Sequence, residues 1–460
     1  MPIYSTDGVY ISYAIGTDLT AWRHADAALT AALVQATDKI DAHQNIAVDY
    51  TDPDVEETGH LSSSQYKVRH TAGYKTGKIV LPMFLQTGVP LYATLGTCTT
   101  SRTGKETTTV VCLAGDAMVD GSYFLINCIN AAGATVKNYV WFNMGGDADP
   151  APAGYTELQV DYLVGDTAAQ VAAKLNAVMD VADFYDSTVA TATVTIVTAN
   201  NGAVEDATDF DSTLVITVTV QGACTHAISL ASSQTPISYA IHFEKELDSE
   251  DDRYDFLGYM PDTWNLSCGD DKARWKARQL FSANFAYSRA AGGDLAEPTK
   301  DPAPIFEWND LKHASGVLTV KYNGTALEFT VRSIDLTITR TNPLWGVRDG
   351  NYCSEAFIAG MGVDLSLEGN LTGDNVRSLM ATKPEDYAGT GLDVEIKFYK
   401  AANNEWGISL GNLYLVPDET ILNEIDWYER KTLRFVPIGT TTTVTSSVED
   451  RKDKTYYEND

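Results

Sequence analysis

The sequence predicts a mainly β protein of the α+β class, interrupted by one small inserted α+β domain, and three observations carry that expectation. In Ser333-Ile334-Asp335-Leu336-Thr337-Ile338-Thr339, the apolar residues Ile334, Leu336 and Ile338 share one face while Ser333, Asp335, Thr337 and Thr339 share the other. A period of two is the signature of a half-buried strand. The same alternation returns in Gly362–Gly369, with Val363, Leu365 and Leu367 on one side and Asp364, Ser366 and Glu368 on the other. Between Gly115 and Gly222 the composition breaks: fourteen acidic residues, two lysines, no arginine and no histidine. A stretch so unlike its flanks reads as a separate unit.

Taken in order, the chain opens with a short strand, Val9–Tyr13, followed by the alanine-rich segment 20–40, where Leu29, Leu33 and Ala36 fall at helical spacing. The acidic, proline-containing piece 49–59 reads as a loop. A basic polar strand is expected at 66–70. The dense apolar run 79–91, cut by Pro82, Gly88 and Pro90, predicts a strand leading into a short buried helix that ends near Leu95-Gly96.

Within 115–223, taken as the inserted domain, strands are expected at 123–126, 139–143, 193–198 and 214–220. A helix is expected near 166–179, where Thr167 and Gln170 have capping-box spacing and Val171, Leu175 and Val178 form an apolar stripe. Asn200-Asn201-Gly202 supplies a turn. Residues 1–114 and 224–440 then form the two parts of the host domain. Strands are expected at 237–244, 256–268 (Trp264, Leu266 and Cys268 on one face), 281–287, 317–322, 392–398 and 406–416. Residues 441–460, polar and charged, are expected to be a tail or arm, either one that orders on assembly or one that is disordered.

The "SIDLTITRTNPLWG" and "IAGMGVDLSLEGNL" segments, together with the strand and short helix before Leu95-Gly96 and the strand after Leu257-Gly258, resemble the tail tube (major tail) proteins of long-tailed phages and related archaeal viruses. The likeness covers most of 1–114 and 224–440. The insert is similar to small α+β modules found inside phage tail proteins, through "YVWFNMGG", "GDTAAQVAAKLNAV" and "NNGAVEDATDFD". The resemblance implies a β-sandwich or barrel with a flanking helix. It also implies a structural virion protein, made in the host cytoplasm, whose copies form hexameric rings stacked into a tube. Its partners would be further copies, other tail proteins at the tube ends, and viral DNA passing without sticking. The candidate lumen-facing residues are Ser333, Asp335, Thr337, Thr339, Asp364, Ser366 and Glu368, an acidic and hydroxyl-rich wall expected to repel DNA weakly. For each of them the alternative is packing beneath a loop or helix.

Composition fits that expectation. With 33 Lys plus Arg against 62 Asp plus Glu, a formal charge of −29 argues against gripping nucleic acid by phosphate neutralisation, although acidity also serves solubility or reflects a salty host. The six cysteines are scattered singly, with no zinc spacing, and read as reduced. No export signal is visible at the start and no apolar run is long enough to span a membrane, so no membrane partner is expected.

No catalytic set is expected. Gly407-Ile408-Ser409-Leu410-Gly411 matches a nucleophile elbow, yet the last histidine is His313, upstream of the serine. Gly73–Lys78 lacks the spacing and the Ser/Thr of a phosphate loop and reads as a turn. The acidic clusters 205–211 and 248–252 lack EF-hand order, and the seven histidines show no ligand spacing. No cofactor or metal is expected. The rival reading is a receptor- or carbohydrate-binding tail protein that works through the insert.

Overall fold

In the computed structural model, the described residues are 9–16, 38–39, 47–51, 54–57, 69–72, 76–146, 148–231, 238–245, 252–285, 287–290, 299–300, 305–311, 319–322, 325–326, 328–341, 344–345, 355–356, 360–371, 391–401, 404–416, 430–438 and 442–451. The helix expected over 20–40 lies outside them except at Asp38–Lys39, which form a short strand, and of the turn expected at Gly73–Lys78 residues 73–75 lie outside them while 76–78 open the strand Thr76–Phe84.

The host domain is mainly β, and its strands pair antiparallel into two layers. The first layer runs in the order Ala47–Thr51, Thr76–Phe84, Arg278–Phe285, Asp252–Gly269, Phe329–Thr341, Gly360–Leu371, Arg430–Pro437. The second runs Thr319–Tyr322, Leu392–Ala401, Asn404–Leu415, Thr443–Asp450, Ala223–Leu230, Gly96–Gly104. The layers join at one corner, where Leu413–Leu415 pairs with Phe435–Pro437.

Alternation dictates what fills the space between them. Trp264, Leu266, Cys268, Ile334, Leu336, Ile338, Leu365 and Leu367 point inward from the first layer and are fully buried. Ile396, Phe398, Trp406, Ile408 and Leu410 meet them from the second. The run 79–91 folds as expected: Thr76–Phe84 is a strand, and Val89–Leu95 is a helix with every residue buried. It ends at Gly96, whose φ of 95° lies in the left-handed region that glycine adopts without a Cβ clash. The last carbonyls of this helix are met by buried Arg340, whose Nη1 donates to Thr94 O at 2.9 Å.

Several expectations need correction. The piece 49–59 is not a loop throughout: it holds the end of the strand Ala47–Thr51 and the strand Asp54–Glu57. The C-terminal segment contains Thr443–Asp450, a strand between Asn404–Leu415 and Ala223–Leu230, with Val444 and Val448 in the core. Its inward positions alternate Val444, Ser446, Val448, Asp450, so half of its buried face is polar and the strand does not stand out by hydropathy. The two polar members have partners: Ser446 Oγ donates to Gly407 O at 2.5 Å, and Asp450 meets His226.

The inserted unit is also larger than 115–223 at its start. Thr107–Val111 pairs with Thr193–Thr198 and Val215–Val220, so the unit fills 105–222, between two strands that pair with each other through Gly104 and Ala223. It has its own core, built by two sheets and one helix. The helix spans Ala168–Val181 and begins with the expected capping box, Thr167 N donating to Gln170 Oε1 at 2.8 Å. Val171, Leu175 and Met179 are its buried face, with Val178 packed at the margin.

Candidate functional site

The outer face of the first layer gathers most of the candidate residues. Antiparallel register sets Asp335 opposite Ser267 on one side and Ser366 on the other, and Ser366 opposite Arg434. One row therefore reads Arg278, Ser267, Asp335, Ser366, Arg434 across five strands. The next reads Asn265, Thr337, Asp364, and the one beyond Thr263, Thr339, Gly362. Paired side chains in a sheet share a face, so these rows form one polar wall backed by the apolar core.

Side-chain bonds run along and between the rows. Asn265 Nδ2 donates to Asp335 Oδ1 at 2.7 Å and to Thr337 Oγ1 at 2.9 Å. The Arg434 guanidinium grips Asp364 with two nitrogens, Nε lying 3.0 Å from each carboxylate oxygen, and this holds its own pKa above the ordinary value. Ser333 Oγ donates to Glu368 Oε2 at 3.1 Å, and Arg274 Nη2 lies 3.9 Å from the same oxygen.

These contacts revise the expected wall in two ways. Ser333 lies on this face but is buried, 4% exposed, next to Gly269 and Arg274 of the turn that follows the Asp252–Gly269 strand. The alternative of packing beneath a loop holds for that residue, whereas Asp335 and Thr339 are exposed and Thr337, Asp364, Ser366 and Glu368 half-buried. The wall is also not uniformly acidic. Asp364 is paired with Arg434 and Glu368 lies near Arg274, so the face carries alternating charge among hydroxyls and amides.

The elbow-like Gly407–Gly411 lies inside the Asn404–Leu415 strand, with Ser409 exposed on the outer face of the second layer. It opens no helix, so the geometry of an elbow is not present. Among the described residues no group of three His, Cys, Asp or Glu side chains is placed to hold a metal. No helix among them is long and apolar enough to cross a membrane. Cys98, Cys112, Cys128, Cys224 and Cys268 form no disulfide among the described residues, and burial pushes the Cys112 and Cys268 thiols up to about 12, away from reactive thiolate.

Two polar constellations were not anticipated. His226, fully buried, stands between Thr100 and Asp450, with Thr100 Oγ1 to Nδ1 at 2.9 Å and Nε2 to Asp450 Oδ1 at 3.1 Å. This chain ties three adjacent strands, one of them Thr443–Asp450. At the root of the inserted unit, Arg102 Nη2 donates to Gly133 O at 2.7 Å, and Arg451 pairs with Asp206. Beside that pair lies buried Glu106, whose pKa is raised to about 8 by burial first and by Asp206 second, against the pull of Arg451.

Compared with known proteins, the sequence matches no family model and no curated protein.

Proposed function

We propose that this chain is a structural subunit of a viral tail tube, with copies joined edge to edge into closed rings that stack, and with the polar wall turned toward the bore. The observation that supports this most is the wall itself: an unbroken run of paired strands, dry on one side and polar on the other, continued row after row by register. A sheet of that kind buries one face in its own core and leaves a hydrated face for what passes by. The resemblance supplies hexameric symmetry, partners at the tube ends and a place in the virion tail.

The charge pattern suits passage of DNA. Asp364 and Arg434 largely cancel at a distance, and free charges such as Asp335 are screened beyond about 8 Å at physiological salt. Away from the basic turn at the Arg278 edge of the wall, a phosphate backbone sliding past meets neither a cationic stripe that would hold it nor a field strong enough to stop it. No turnover enters this reading.

A second reading, adhesion through the inserted unit, is favoured by one observation. Phe210 is 65% exposed and stacks on Tyr123 with ring centroids 4.7 Å apart, while Asp211 accepts from the Tyr123 backbone. An exposed aromatic platform beside a carboxylate is the chemistry of a weak sugar subsite. Negative-stain electron microscopy of the purified chain separates the two. Rings or tubes support the tail tube, whereas discrete monomers at high concentration that bind sugar tightly support the adhesin.

A further inference from the structure

The turn between Asp252–Gly269 and Arg278–Phe285 concentrates positive charge in an acidic protein. Lys272, Arg274, Lys276 and Arg278 fall within seven residues of a chain in which acids outnumber bases 62 to 33. Arg274 is engaged, its Nη2 2.7 Å from Asp271 Oδ2. Lys272 and Lys276 are exposed, and among the described residues neither they nor Arg278 forms an ion pair with a carboxylate. Arg278 Nε is buried without a hydrogen-bond partner.

Lys272, Lys276 and Arg278 rim a cavity of about 440 Å³ whose apolar side is Phe84 and half-buried Trp275. Lys276 Nζ sits 5.3 Å from the centre of the Phe84 ring. Asp270, the one carboxylate in the lining, faces Arg332 at 3.5 Å. A cationic rim over an aromatic floor suits carboxylates carried on an extended backbone.

We infer that this pocket receives the acidic run 248–252 of a second copy, joining copies head to tail. The inference rests on the reading that copies associate, and the chain supplies the ligand. Asp248, Glu250, Asp251 and Asp252 make this its densest acidic run, four residues in five. Its last member, Asp252, pairs with Lys245 and opens the strand that ends at Gly269 beside the basic turn. That strand has 18 residues, and at about 3.3 Å per residue its ends lie on the order of 50 Å apart. The pocket and Asp252 are thus at opposite ends of one strand, and the pocket and the acidic run are complementary in charge. Between copies shifted along the strand they do meet, in a heterologous contact that closes a ring or propagates a filament. A nucleic acid is the less favoured occupant, because a formal charge of −29 repels a polyanion over the rest of the surface.

The test uses the full-length protein at low concentration and a fluorescein-labelled peptide of residues 244–256, followed by anisotropy. Saturable binding is expected, weakened tenfold or more by the Lys272→Glu/Lys276→Glu pair and by raised salt. A peptide carrying Asp248→Lys and Asp251→Lys should reverse the preference, binding the variant and not the wild type. Thermal unfolding checks that the variant folds, and Lys272→Gln/Lys276→Gln should weaken binding by less. No binding to wild type, or equal binding to wild type and variant, overturns the inference. So does a labelled oligonucleotide that saturates at lower concentration and is lost in the same variant. Because the readout needs no tube, peptide binding by a chain that forms none keeps this joint and removes the tube. Tubes that form equally well from the Lys272→Glu/Lys276→Glu variant remove the joint and keep the tube.

Discussion

Trp264 and Trp406 stack across the middle of the host domain, one from each layer, with ring centroids 5.9 Å apart and planes inclined by 26°. Both are fully buried, and Phe398 packs edge-on against Trp406 with centroids at 6.1 Å. The two sheets are held face to face at this point. Replacing Trp406 by Ala removes the stacked partner and leaves a cavity that the surrounding strands cannot close. The expected loss is about 3–5 kcal/mol of stability, read as a lowered denaturant midpoint with the slope retained. A loss below 1 kcal/mol would mean that the layers are joined elsewhere.

Arg340 closes the short helix Val89–Leu95 from the neighbouring sheet by donating to the Thr94 and Ala93 carbonyls. Charged donors at the end of a helix satisfy carbonyls that have no partner of their own. Arg340→Ala is expected to cost roughly 2–3 kcal/mol, and Arg340→Lys to recover part of that. Equal losses in the two variants would assign the residue to packing alone.

Glu106 predicts a pH dependence of stability. Its folded pKa, about 8, is raised above the ordinary value of 4.5, so its favourable contribution is complete below 4.5 and is lost as pH rises through 8. The shift corresponds to as much as about 5 kcal/mol, shared with its neighbours Asp206 and Arg451. Relative to wild type, Glu106→Gln should therefore gain stability steadily from pH 5 to pH 9. A difference that stays flat across that range contradicts the assignment.

The strand Thr443–Asp450 lies between two others, so ending the chain after Thr442 leaves both without a partner along one edge. That truncation is expected to abolish cooperative unfolding, whereas ending after Arg451 should preserve it. Circular dichroism on the two products decides.

Legibility followed the chemistry of the inward positions. Where every second residue is apolar, as in Trp264, Leu266 and Cys268 or in Ile334, Leu336 and Ile338, the strand and its buried face were read directly. Where Ser446 and Asp450 take inward positions, the sequence reads as a polar tail and not a strand, because its buried polar groups depend on His226 and Gly407, far away in the chain. Thr107–Val111 does not stand out as part of the insert for a similar reason, since threonines supply most of it and its partners come 82 to 113 residues later. The wall residues were placed on one face by periodicity. Their charge balance was not legible, because Arg434 reaches Asp364 across 70 positions of sequence. The basic turn carries a sequence signal, four cations in seven residues, that points to no site without its aromatic floor, and that floor needs Phe84 from a distant strand.

Electron cryo-microscopy of the purified, concentrated chain decides whether copies close into a tube with the polar wall inside. The expected result is a hollow assembly in which strands of adjacent copies pair and Asp335, Thr337 and Asp364 line the bore. A monomeric particle, or a tube with those three residues on its outer surface, would contradict it.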